Sequence, residues 1–129
     1  MSLSNVNNPS VAVIHLGSPS ADAVLPGVVC PANMKIKSVY LVNGDDIAAS
    51  DTDFVQLSLE NGSNVVAELD SRAAHENGIS ADTAEALNLV DAYAEPEAGD
   101  LLIVNYDETD AGTNVALTDA KLCICWHAK

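Results

Sequence analysis

The sequence predicts an all-β fold: a single-domain β-sandwich, jelly-roll-like, of about eight strands. Three observations predict it. Short apolar runs recur along the chain and are separated by Asn, Asp, Gly and Pro, the residues of tight turns. Phe54 to Glu60 alternates, with Val55, Leu57 and Leu59 on one face and Gln56, Ser58 and Glu60 on the other, the period of a half-buried strand. The pair Asn61-Gly62, set between two such runs, is the strongest short-range hairpin signal available. Many short strands with turns between them point to a sandwich.

Residues 1–10 are polar and rich in Asn and Ser, which predicts a flexible N-terminal arm, and residues 11–129 make up the sandwich domain. Val11 to Leu16, bounded by Gly17 and Pro19, is the first strand. Val24 to Cys30 is the second, and Pro26-Gly27 inside it marks an edge or a bulge. Met34 to Val42 is the third, with Ile36, Ser38, Tyr40 and Val42 expected on one face and Lys35, Lys37, Val39 and Leu41 on the other. Asn43 to Asp46 is turn chemistry. Phe54 to Glu60 and Asn64 to Leu69 form the hairpin. Asp70 to Thr83 reads as a long polar surface loop.

Thr83 to Val90 fits helical spacing at Ala84, Leu87 and Val90 and strand alternation at Leu87 and Leu89; its neighbours favour a strand. Ala98-Gly99-Asp100 turns the chain into Leu101 to Tyr106, apolar enough to be buried on both faces. In the last segment Val115 and Leu117 are odd-numbered, whereas Leu122, Ile124 and Trp126 are even-numbered. One uninterrupted strand cannot send both sets inward, so a bulge or break is expected near Asp119-Ala120.

The chain carries 19 acidic and 5 basic residues, a formal net charge of -14. All the acids but Asp22 lie between Asp45 and Asp119, where Arg72 is the only basic residue. Such a field repels phosphate backbones and anionic headgroups, so neither nucleic acid nor a membrane surface is an expected partner. An Asp-rich surface suits a high-salt setting, and equally ordinary solubility. No apolar run approaches the length of a membrane span. The start of the chain lacks the basic and apolar regions of a signal peptide, so classical secretion is not expected and the chain is expected to be made in the cytoplasm.

Three cysteines, Cys30, Cys123 and Cys125, are expected as reduced, buried thiols. Cys123, Cys125 and His127 share one face of a strand, and Cys30 would be a fourth zinc ligand, but the paired C-x-x-C knuckles of a zinc site are missing, so no metal is expected. Asp45, Asp46, Asp51 and Asp53 cluster in one loop, and Asp107, Glu108 and Asp110 in another. Oxygen-rich loops can hold calcium, yet the spacing of a calcium loop is not met, and a solvated acidic rim is the expected state.

For catalysis, His15, His75 and His127 are scattered, and no nucleophile elbow, zinc-protease or phosphate-loop motif occurs. Glu95 and Glu97 would serve a glycosidase only if folding set two carboxylates across a cleft. No catalytic residue, no cofactor and no enzymatic activity is expected.

Two segments, Pro31 to Gly62 and Glu95 to Trp126, share one plan: apolar strand, acidic loop, apolar strand. The run VVCPANMKIKSVYLVNGDDIAASDTDFVQLSLENG followed by EAGDLLIVNYDETDAGTNVALTDAKLCICW resembles the small β-sandwich decoration (cement) proteins of tailed-phage capsids. Those proteins share a Pro-led strand, an Asn/Asp loop, a Phe-Val-x-Leu-x-Leu strand, an Ala-Gly-Asp turn and an apolar closing strand. The resemblance covers roughly Val28 to Trp126 and implies a homotrimer on the virion's outer capsid surface. It also implies the major capsid protein as partner and a binding role without chemistry. In that setting the arm at Met1 to Ser10 is expected to order on docking, and the acidic half to face solvent with the near-neutral N-terminal part toward the shell. The same pattern fits a receptor- or carbohydrate-binding sandwich of a phage fibre or baseplate, though only one Trp and few exposed aromatics are available to it.

Overall fold

In the computed structural model, residues 9–19, 21–73, 78–112 and 115–129 are described. Strands β1 (Ser10–Gly17), β2 (Ala23–Val29), β3 (Met34–Val42), β4 (Phe54–Asn61) and β5 (Asn64–Asp70) are followed by two very short ones, β6 (Glu85–Ala86) and β7 (Asn88–Leu89). After a 3₁₀ turn at Asp91–Tyr93 come β8 (Leu101–Thr109) and β9 (Ala120–Ala128). They form two antiparallel sheets packed face to face, in the orders β1-β9-β3-β6 and β2-β8-β4-β5-β7. With β7 set aside, this is the jelly-roll arrangement, one long hairpin rolled up so that β1 meets β9, β2 meets β8, β3 meets β6 and β4 meets β5. The sandwich expected from the sequence is present, with nine strands.

The two acidic-loop segments are the centre of this arrangement. Each sends one strand to each sheet: β3 pairs with β9 along its whole length, and β4 pairs with β8 from Phe54↔Thr109 to Asn61↔Leu102. Their loops, 43–53 and 110–119, therefore lie at the same end of the sandwich.

The core is aliphatic, as the scarcity of aromatics requires. Leu41, Leu59, Val66, Leu102, Val104, Leu122 and Ile124 are fully buried between the sheets, with Tyr106 the one large ring among them. Bulges reconcile the sequence with this core. In β3 the register shifts between Ile36 and Ser38, so Lys37 is the extra residue. Met34 and Ile36 point inward before the shift, Val39 and Leu41 after it. The expected assignment of Val39 and Leu41 to the face opposite Ile36 is therefore corrected: an unbroken period of two fails where one residue is inserted.

β2 has both features predicted for it. It is an edge strand, and its register shifts across Pro26-Gly27. A Cβ on Gly27 would lie 1.6 Å from the Leu102 carbonyl oxygen, so only glycine fits. The break foreseen near Asp119 is a strand start: β9 begins at Ala120, and Asp119 takes a positive φ of 44°. The hairpin at Asn61-Gly62 closes as expected, with Asn61 opposite Asn64 and Gly62 at φ 62°, the first position of a two-residue turn.

Two further expectations are corrected. β8 is not buried on both faces: Leu102, Val104 and Tyr106 are inward, whereas Leu101 is 52% exposed. An outer sheet face with no covering layer leaves alternate residues in solvent. The segment from Thr83 to Val90 is not one strand. It crosses from one sheet to the other, with β6 on β3, Leu87 buried at the crossing and β7 on β5. Both periodicities in the sequence arise because the segment serves two sheets within six residues. The 70–83 loop is pinned by the Ile47↔Ile79 bridge and by Ser71, which is fully buried. The arm at residues 1–8, His75, and the rest of the 74–77 stretch lie outside the described residues.

Candidate functional site

The acidic end of the sandwich is built from the two loops joined by backbone and side-chain hydrogen bonds. Asn43, fully buried, donates through Nδ2 to the Asp45 carbonyl (2.8 Å) and accepts from the Thr118 amide at Oδ1 (2.7 Å). The Gly44 amide donates to the Thr118 carbonyl at 2.7 Å. Asp53 Oδ1 accepts from the amides of Ala111 (2.7 Å) and Gly112 (3.0 Å). Asp46 Oδ1 accepts from Ala81 N at 2.7 Å, and Asp110 Oδ1 from Val115 N at 2.9 Å. Asp22, from the opposite half of the sequence, takes the Glu108 amide at 2.8 Å.

The aspartates therefore tie loops that have no ladder of their own to satisfy backbone N–H groups. Between the loops lies an open cleft of about 460 Å³ lined by Asp45, Asp46, Ile47, Ser50, Asp53 and Thr118. Among the described residues no group of three or more His, Cys, Asp or Glu side chains is placed to hold a metal ion.

The cysteines separate. Cys30 is buried in the β2–β3 connection, where burial and then the nearby Asp100 charge push its thiol above the ordinary range. Cys123 and Cys125 are not buried as expected but sit half-buried on β9 beside Val13 and Val11 of β1, because they alternate with the inward Leu122 and Ile124 and so lie on the outer side of the sheet; all three thiols are free. His127 shares that face and its Nδ1 lies 3.0 Å from the Ala128 carbonyl. His15 faces Lys121, six residues back along β9, which separates the two rings by about 20 Å of strand. Glu95 is paired with Lys129 at 2.7 Å, and that bond holds its carboxyl below the usual range, opposite to what a general acid needs.

The two outer sheet faces differ in kind. On the five-stranded sheet, Gln56, Ser58 and Glu60 of β4 stand beside Glu68 and Asp70 of β5 and Asn105 and Asp107 of β8. A shallow hollow of about 310 Å³ lies among them. Asp70 anchors it: its burial raises the carboxyl's pKa, but Arg72 and Gln56 donate to it and the net result is a lowered one. Arg72 Nη2 is 2.6 Å from Asp70 Oδ2, and its guanidinium lies 5.1 Å from the Phe54 ring centre.

The four-stranded sheet is the reverse. Its three long strands, β1, β3 and β9, contain no Asp or Glu, although the chain has 19 of them. Four of the five basic residues are here: Lys35 and Lys37 on β3, Lys121 on β9 and Lys129 just beyond it. The register sets Val11, Cys125 and Ser38 in one outward row and Val13, Cys123 and Tyr40 in the next, with Ala86 of β6 beside Tyr40. Val11 is 60% and Val13 46% exposed. The result is a small apolar surface edged by lysine and histidine.

Comparison with protein-family models, with curated proteins and with solved structures gives no match.

The sequence singled out Cys123, Cys125 and His127 for their ligand spacing, and the structure places them on the apolar face. The partners that complete this face, Val11, Val13, Tyr40 and Lys121, were not singled out. The signal was the absence of acids from both ends of the sequence at once, and only the N-terminal half of it is conspicuous. β1 and β9 lie more than a hundred residues apart in the chain and become neighbours only through the jelly-roll winding.

Proposed function

We propose that this chain is a non-enzymatic structural protein that decorates the outer capsid of a tailed phage and stabilises the shell by binding its major capsid protein. The observation that carries the reading is the division of charge between the two outer faces. A protein that must sit on a particle among many copies of itself benefits from a surface that repels everywhere except where it docks. The outer face of β1, β9 and β3 is built from strands that contain no carboxylate, and it is apolar at the centre with cations at the rim. The jelly roll is a fold used in viral capsid domains, which is support by analogy only. The acidic loops and the polar face of the five-stranded sheet then meet solvent.

Co-sedimentation with capsids lacking their decoration protein tests the reading. The expected result is binding by the wild type and binding weakened by about tenfold or more, some 1.4 kcal/mol, in a Lys35→Glu/Lys121→Glu variant. Glu68→Lys, on the opposite face, leaves binding unchanged. The polar hollow over Gln56, Ser58, Asn88 and Asn105 favours one second reading, a glycan-binding sandwich. Binding on a glycan array with no affinity for capsids selects that reading over the first.

A further inference from the structure

Every sheet of an open sandwich has two edges, and an edge left with unpaired N–H and C=O groups invites another strand. Three of the four edges here are closed off. β6 and β7 hold two residues each. The chain around them stitches that side of the sandwich shut: Leu87 N donates to Val39 O, Val90 N to Val66 O, Ile36 N to Ala94 O and Met34 N to Pro96 O. β2 is broken by Pro26 and by the bulge at Gly27. The fourth edge, β1, has none of these devices over Ser10 to His15. It pairs with β9 on one side, the register is continuous until the shift between His15 and Gly17, and among the described residues no strand pairs with its other side.

We infer that β1 is a self-association edge, at which two copies of this chain pair antiparallel about a two-fold axis to make one continuous eight-stranded sheet. The occupant is a second copy for three reasons. Pairing of unlike edges would need a second long open edge, and among the described residues this is the only one, so the contact that uses it twice is isologous. Neither β1 nor β2 beside it contains any Asp, Glu, Lys or Arg, so the pairing sets no like strand charges opposite each other in a chain of net charge -14. Among the described residues, four of the six large apolar side chains left exposed, Val11, Val13, Val24 and Val29, are on these two strands.

The alternation of β1 supports this register class. Ile14 and Leu16 are buried while Val11, Val13 and His15 face out, so an axis through Ala12 or Val13 keeps inward residues opposite inward ones. The joined sheet doubles the carboxylate-free face. The inference stands apart from what that face docks on, and it departs from the trimer implied by the family resemblance, because a two-fold contact closes at two copies.

The test is the mass of the full chain in solution, by light scattering or native mass spectrometry over a concentration series. The expected species is a dimer of twice 13.4 kDa, with a dissociation constant that falls as salt rises. A Val11→Lys/Val13→Lys variant is expected to be monomeric with an unchanged circular dichroism spectrum, because both side chains are exposed in the monomer, and to melt where dilute, dissociated wild type melts, without the concentration-dependent gain of the dimer. A wild type that stays monomeric at high concentration, a trimer, or a dimer that the two lysines leave intact would each overturn the inference. Capsid binding by the Lys35→Glu/Lys121→Glu variant, which leaves Val11 and Val13 of β1 in place, reads the docking face separately.

Discussion

At the scale of single residues, the loops are held by a few polar side chains with no slack. Asn43 is fully buried and serves both acidic loops, so Asn43→Ala leaves the Thr118 amide without its acceptor. A loss of about 1–3 kcal/mol is expected, read as a lower urea midpoint at unchanged slope. Gly27→Ala meets the Leu102 carbonyl and is expected to cost more than about 3 kcal/mol or to unpair β2 from β8, visible as lost amide protection in β2.

Asp70 supplies a pH signature. Its folded-state pKa lies below its unfolded value, because Arg72 and Gln56 donate to the carboxylate. The stabilisation is therefore complete above the unfolded carboxyl pKa of about 3.9 and is lost as pH falls through the lower, folded one. The stability gap between wild type and Asp70→Asn should be constant near neutrality and close on the acid side of about pH 4.

At the scale of elements, legibility followed the length of each uninterrupted period. β4, which pairs with β8 without a register shift, shows clean alternation, and its inward residues were assigned correctly from the pattern alone, whereas in β8 the apolar Leu101 and Ile103 on the outer side hide an equally regular alternation. β3 looks equally regular in sequence but carries a bulge at Lys37, and nothing in the local residue types announces it. The odd-to-even change before β9 was visible because two apolar sets straddle it, whereas in β3 the residues on both sides of the shift are a mixture that either register accommodates. The crossing at Leu87 was ambiguous for a different reason: two residues in each sheet are too few to establish any period.

Asp119 tests the strand start directly. Its φ of 44° suits Gly, Asn or Asp and opposes a β-branched side chain. Asp119→Val is expected to lose about 1–2 kcal/mol in urea unfolding, while Asp119→Gly loses little, since the left-handed conformation costs glycine nothing. Equal losses in the two variants would mean that the Asp119 side chain, and not the backbone turn into β9, matters there.

At the scale of the whole molecule, the fold concentrates the charge that the sequence already carries. Among the described residues the carboxylates lie on the five-stranded sheet, in the loops and at Glu85 of the short edge strand β6, and the four-stranded sheet has none on its long strands, so the negative field is crowded into part of the surface. Two effects of salt then compete. The ion pairs Arg72–Asp70 and Lys129–Glu95 are surface or part-buried contacts of a kind that adds little to stability, and screening weakens them. Against them stands the mutual repulsion of 19 acids opposed by 5 bases, which screening also weakens, to the benefit of the compact state.

The Debye length shrinks from about 30 Å at 0.01 M to about 3 Å at 1 M, so charge separations across the acidic face pass from unscreened to screened over that range. Repulsion summed over many pairs is expected to outweigh such bridges. The melting temperature is therefore expected to rise with added sodium chloride, by roughly 4 °C for each kcal/mol of repulsion relieved in a domain of this size. Calorimetry on the Val11→Lys/Val13→Lys monomer separates this intrinsic effect from any gain through self-association. A melting temperature that falls with salt would mean that attractive pairing, and not repulsion, dominates the acidic face.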